Sequence, residues 1–250
     1  MIRLRQSVRA AGLWSASFFL VTSPGASSQA PVTADVSIVQ RSSANGPQAV
    51  SKSVDASGVV VWLLPLDELP PPLAAGPAKA PEIIQHNKSF QPHVLAVQVG
   101  SEVRFPNMDP FFHNIFSLFD GKRFDLGLYE AGTSRTVRFD RAGVSFLFCN
   151  IHPEMSAVVV AVATPYFGTS SRSGHVEIPD VPDGRYQLNV WYERSLVEDL
   201  KALSRPIRIS TADHSLNPIR VIENPNFSPA HKNKYGQDYV PPPGSGYSRP

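Results

Sequence analysis

The heptapeptide CNIHPEM, residues 149–155, holds the only cysteine of a 250-residue chain, with a histidine and one of three methionines close behind it. Thiolate, imidazole and thioether together are the donors that copper-like soft ions take in preference to hard, oxygen-seeking ones. A lone cysteine forms no disulfide within its chain, so Cys149 is either a small buried apolar group or a metal ligand. A three-cornered site needs a further imidazole from elsewhere. NMDPFFHN, residues 107–114, offers His113 just past the turn-forming pair Asp109-Pro110. Taken singly, Cys149 and Met155 read as core filler and His113 as a packed histidine. Their joint order and spacing with His152 point to one copper site, and methionine is a poor ligand for zinc.

The elements that must position these residues read as strands. VSFLFC is a strand and NIHPEM the loop after it. HVLAVQV sets Leu95, Val97 and Val99 on one face, EVRF continues with Val103 and Phe105, and RTVRFD alternates Val137 and Phe139 with polar residues. The unbroken run AVVVAVA predicts a strand buried on both faces. On the strand ending at Cys149, Leu147 shares the cysteine's face, whereas Phe146 and Phe148 point the other way and need cover from a second block. TADVSIVQ and GVVVWLLP are earlier strands around a polar loop at 42–57, and HVEIPDVPDGRYQLNVWYE gives two more around DVPDG. SLVEDLKAL makes one short helical turn, and PIRIS and PIRVIE a final strand pair. The pattern is all-β.

The expected organisation is a signal peptide over 1–30, first strands of an outer sandwich over 31–67 and a Pro/Ala linker over 68–80. A metal-bearing domain over 81–164, the rest of the outer sandwich over 165–223 and an extended Pro-rich tail over 224–250 complete it. The domain at 81–164 would thus be inserted into a discontinuous one. Arg3, Arg5 and Arg9, the apolar stretch AAGLWSASFFLV and the small residues GASSQA have the order of a cleavable secretory signal, cut after Ser28 or Ala30. A retained anchor is the other reading, and the stretch is short for a membrane span. Export to a bacterial periplasm, with no stable membrane insertion after cleavage, is the expectation. Lys+Arg 23 against Asp+Glu 21 leaves a net charge of +2, which supplies no concentrated basic face for nucleic acid.

The succession FQPHVLAVQVGSEVRFPNMD, HN, FDRAGVSFLFCNIHPEM and AVVVAV resembles the cupredoxins, the blue-copper family of plastocyanin, pseudoazurin and amicyanin. The Cys-x2-His-x2-Met loop is similar to the short amicyanin one. The wider chain resembles periplasmic methylamine-utilisation or plastocyanin-like proteins, and its outer block resembles the carboxypeptidase-regulatory, transthyretin-like sandwich. The resemblance implies a Greek-key cupredoxin sandwich beside a smaller transthyretin-like one. It implies one copper ion cycling between Cu(I) and Cu(II), with His113, Cys149 and His152 in the trigonal plane and Met155 axial. Asn114 would support them: its backbone N–H would donate to the Cys149 sulfur and its side chain would tie the two ligand loops together. His152, with Pro110, Phe111, Phe112 and Pro153, would form the apolar exit for an electron. The implied activity is electron transfer to a transient periplasmic partner, a cytochrome or a dehydrogenase, rather than catalysis. Two other readings of the same residues are a copper carrier or storage protein, and an adhesion or carbohydrate-binding module whose metal site is structural or empty. His86, His93, His175, His214 and His231 lie outside the motif and read as hydrogen-bonded structural histidines. Asp109, Asp125 and Glu154 read as solvated or turn residues.

Overall fold

The structure, a computed structural model, describes residues 31–40, 55–68, 80–118, 121–228 and 231–239. The expected signal peptide, the core of the linker, most of the 42–57 loop and the last part of the tail lie outside the described residues. In chain order the strands are β1 (Val32–Gln40), β2 (Val60–Pro65), β3 (Ile84–His86), β4 (Ser89–Gln91), β5 (Val94–Gln98), β6 (Glu102–Pro106), β7 (His113–Ser117) and β8 (Phe124–Tyr129). They continue with β9 (Ser134–Arg138), β10 (Gly143–Phe148), β11 (Ser156–Val162), β12 (Phe167–Thr169), β13 (His175–Ile178), β14 (Gly184–Trp191), β15 (Arg205–Ile209) and β16 (Ile219–Glu223). One helix, α1 (Val197–Leu203), joins β14 to β15. The fold is all-β, and among the described residues no helix is long and apolar enough to cross a membrane.

Strands β3 to β11 form one body. A five-stranded sheet in the order β5-β11-β10-β7-β8 is complemented by the β6-β9 and β3-β4 pairs. The alternating residues noted in the sequence fill the space between them: Val97, Val103, Phe105, Val137, Phe139, Leu147 and Val159 share one core with Cys149 and Met155. The remaining strands make a second body. Here β13-β1-β16 and β12-β2-β14-β15 share a separate core that includes Ile38, Leu63, Tyr186, Leu188 and Val221. The strands β1 and β2, which precede the first body, pair with strands that follow it. PIRIS and PIRVIE do not pair with each other. β15 lies antiparallel to β14, while β16 runs parallel to β1 in the other sheet, and the buried residues of both, Ile209 and Ile219 with Val221, enter the same core.

The two bodies meet on β11. Ala157, Val159 and Ala161 point into the first core, while Val158, Val160 and Val162 enter a third cluster with Val60. Trp62, Phe146, Phe167 and Trp191 pack around that cluster. The strand is buried on both faces because it is apolar at every position. The outer body thus covers Phe146, as its position predicted. Phe148 finds other cover: its ring stacks on His231 of the C-terminal segment, centroids 4.1 Å apart.

At the rim of this junction His93 faces an acceptor with each ring nitrogen. Nδ1 lies 3.0 Å from the Ser156 carbonyl and Nε2 2.6 Å from the Glu193 carboxylate. Only the imidazolium donates to both. The bond to Glu193 raises the His93 pKa most; burial opposes it, and with the Glu193 charge and the Ser156 carbonyl added the net shift is upward despite burial and the nearby Arg194. A raised folded-state pKa gives stability that is complete below the unfolded value, about 6.5, and lost as pH climbs through the folded one. Partial exposure keeps the effect small. Native protein should therefore melt about 1–3 °C above a His93→Gln variant near pH 5.5, with the gap closing by pH 9; a gap constant across that range in thermal melts would remove this role.

Candidate metal centre

β7 and β10 are antiparallel neighbours, with Phe116 opposite Phe148. That arrangement brings the start of β7, where His113 sits, to the same end of the sheet as the residue after β10, Cys149. The β10–β11 hairpin then builds the loop. The Cys149 N–H donates to the Met155 carbonyl at 3.1 Å, carrying the ladder one residue past the strands. The Met155 N–H turns inward to the His152 carbonyl at 3.2 Å. Cys149 and Met155 form the buried base of the loop, both fully enclosed, and His152 stands nearer its tip, half-buried.

The donor atoms converge. Sγ of Cys149 lies 3.8 Å from Nδ1 of His113 and 3.6 Å from Nδ1 of His152, and all three ligand atoms fall within 4.8 Å of one another. Two ligands held at about 2.1 and 2.3 Å from one ion, at a near-tetrahedral or trigonal angle, sit roughly 3.7 Å apart. The separations thus match side chains that share an ion, and the donor set is the copper-preferring one. Among the described residues, this is the only group of three or more His, Cys, Asp or Glu side chains close enough to do so.

Burial raises the Cys149 pKa, while the backbone N–H groups of Asn114, Ile151 and His152 pull against it by favouring the thiolate. The Asn114 side chain donates to Asp125 on β8 at 2.8 Å instead of tying the ligand loops together. Burial, then His113 and Lys88, hold the His152 pKa below its usual value, against the pull of Asp109, which keeps the ring neutral and its nitrogen available.

Asp109 departs most from its sequence reading. It is only 3% exposed, and its Oδ2 lies 2.7 Å from Nε2 of His113. Burial pushes its carboxyl upward, but the Lys88 N–H, the His113 ring and the Asn87 N–H outweigh this and hold it below the ordinary carboxylate range. The backbone explains the position. Asn87 and Lys88 both adopt left-handed conformations, φ 53° and 52°, in the tight β3–β4 turn, and their N–H groups reach the carboxylate at 2.6 and 2.9 Å. Buried Asn107 shapes the approach to His113: its Oδ1 accepts from the Asp109 N–H, and its Nδ2 donates to the Phe111 carbonyl. With Nε2–H donating to Asp109, the free lone pair of His113 is on Nδ1, facing the cysteine. A turn-forming Asp-Pro gave no sign of this; the Asn107-x-Asp109 spacing was the available hint.

No protein-family model matches the chain, and no curated protein sequence matches it. It is similar to solved cupredoxin structures over about a third of its length. A purple cupredoxin from Nitrosopumilus maritimus is 26% identical over 33% of this chain and 99% of that one, with a TM-score of 0.30. A copper-containing nitrite reductase from Thermus scotoductus is 23% identical over 38% of this chain, with a TM-score of 0.33. This chain covers only 27% of that enzyme. The oxidized state of an amicyanin mutant is 21% identical over 33% of this chain and 82% of that one, with a TM-score of 0.32.

Loss of the partner that orients a ligating histidine costs metal affinity about 10- to 100-fold. Asp109→Asn should weaken copper binding by that range in competition with a calibrated chelator, with the β-sheet circular dichroism unchanged. Affinity within twofold of native would show that the Asp109–His113 bond does not serve the metal.

Proposed function

We propose that this chain is an exported electron-transfer protein that holds one copper ion through His113, Cys149, His152 and Met155. The observation that carries the reading is the convergence of one ring nitrogen from each of His113 and His152 with the Cys149 Sγ, all within 4.8 Å of one another and Nδ1 of both rings facing the sulfur, with a buried thioether-bearing residue at the base of the same loop. A copper ion bound there would supply a one-electron couple between Cu(I) and Cu(II). The residues around it favour little rearrangement between the two states. Asp109 fixes the tautomer and plane of His113, the backbone N–H groups of Asn114, Ile151 and His152 favour the Cys149 thiolate, and the hairpin base holds Cys149 opposite Met155. Preorganised dipoles of this kind spare the cost of reorienting the surroundings when charge changes.

His152 is the least buried of the four proposed ligands. The Phe111 ring lies 5.8 Å from the His152 ring and 5.1 Å from the His113 ring, and Phe111 itself is 36% exposed. Met108, Phe112 and Ile151 are exposed apolar residues in the same two loops. An apolar surface of this sort suits the small, short-lived contacts of redox partners, here a periplasmic cytochrome or dehydrogenase. The N-terminal signal-like sequence supports a periplasmic setting.

Copper added to the purified protein should give an intense visible absorption and a copper(II) EPR signal with narrow hyperfine splitting, both abolished in Cys149→Ser. A colourless native complex, or an unchanged spectrum in the serine variant, would overturn the assignment. Phe111→Glu should leave that spectrum intact and slow electron transfer to an anionic or neutral redox protein about tenfold in stopped-flow mixing; equal rates would remove His152 as the exit.

A further inference from the structure

The C-terminal segment, expected from its composition to be extended, lies on the metal centre over residues 231–239. Its compactness has a local cause. Asn233 accepts the N–H groups of Tyr235 and Gln237 on its side-chain oxygen, its own N–H donates to the Gln237 carbonyl, and Gly236 takes the left-handed conformation the turn requires, φ 76°. That turn presents Lys234 and Tyr239 to the loop that carries Cys149.

Three attachments follow, and together they span both ligand-bearing segments. The Tyr239 hydroxyl donates to the Cys149 carbonyl at 2.6 Å. The Lys234 N–H donates to the Asn150 side chain at 3.0 Å, and its ammonium lies 2.7 Å from Asp125, the acceptor of Asn114 beside His113. The His231 ring stacks on Phe148 and meets Tyr239 edge-on, centroids 5.3 Å apart. The Tyr239 contact fills a specific gap. In a regular antiparallel pair Met155 would return its N–H to Cys149, but that N–H is used by His152 to turn the loop. The Cys149 carbonyl therefore takes its hydrogen bond from outside the hairpin.

We infer that residues 231–239 are a strap that holds the ligand loop 149–155 in its binding geometry, with Tyr239 as the positioning residue acting through the Cys149 carbonyl. The effect on copper rests on the electron-transfer reading; the effect on the loop does not. In the metal-free full-length protein, Tyr239→Phe should speed amide hydrogen exchange across 149–155 roughly three- to tenfold, the range a single net hydrogen bond gives. Exchange in the β5–β11 pair and the outer body should stay as in native. In the copper-loaded protein the same variant should lose copper to a chelator about tenfold faster and shift the visible thiolate–copper absorption. Lys234→Ala should act in the same direction. Unchanged exchange across 149–155, or acceleration spread evenly over the whole protein, would overturn the inference. A native protein that takes up no copper would instead defeat the electron-transfer reading, while the exchange measurement still reports on the strap.

Discussion

The carboxylate of Asp109 holds the site in place. It is enclosed, accepts the Asn87 N–H on one oxygen, and on the other accepts both the Lys88 N–H and Nε2–H of His113. A buried charge persists only where hydrogen bonds replace water, so the turn at Asn87 and Lys88 and the loop around Asn107 are parts of the centre although none of them reaches the sulfur. The constraint runs from there to the ligand atoms. Once Nε2 is committed, the remaining nitrogen of His113 aims at Cys149, and the β7–β10 pairing sets how far apart the two lie.

Rigidity at this end of the sheet is inherited from the middle of it. β11 carries Met155 at its threshold and is buried on both faces, with small and branched residues alternating between two clusters. Interiors packed at such density deform little. The outer body stiffens the strand from which the ligand loop springs, while His93 and Glu193 close its rim. This gives the second sandwich a part in the metal centre even though it contributes none of the converging donors.

Much of this was present in the sequence because it follows from period and type. Alternation at Leu95 to Val99 and at Val137 to Phe139, the doubly apolar run 157–162, and the spacing of Cys149, His152 and Met155 are local signals, and the side chains read from them point where the pleat sends them. The unread parts depend on long-range encounters. Asp109 has the profile of any aspartate before a proline until the Asn87–Lys88 turn, a separate stretch of chain, closes over it. The strap is richer in polar and glycine residues than in apolar ones, so no periodic pattern marks it, and only the position of Asn150, Asp125 and the Cys149 carbonyl reveals what Lys234 and Tyr239 do. The pairing of β16 with β1 instead of β15 also had no local cue, since both candidate partners carry similar apolar faces.

That last pairing has a consequence for the order of assembly. All strands of the first body lie in one stretch, 84–162, so its sheets close over modest chain separations. β1 meets its partners only when 175–178 and 219–223 have been synthesised, and such distant pairings are slow to form. The outer face of β11 waits as well: its cover, Val60, Trp62, Phe167 and Trp191, sits on β2, β12 and β14, and β2 is paired only by strands that follow β11 in the chain. Until the outer body closes, the valines at 158, 160 and 162 are exposed apolar surface.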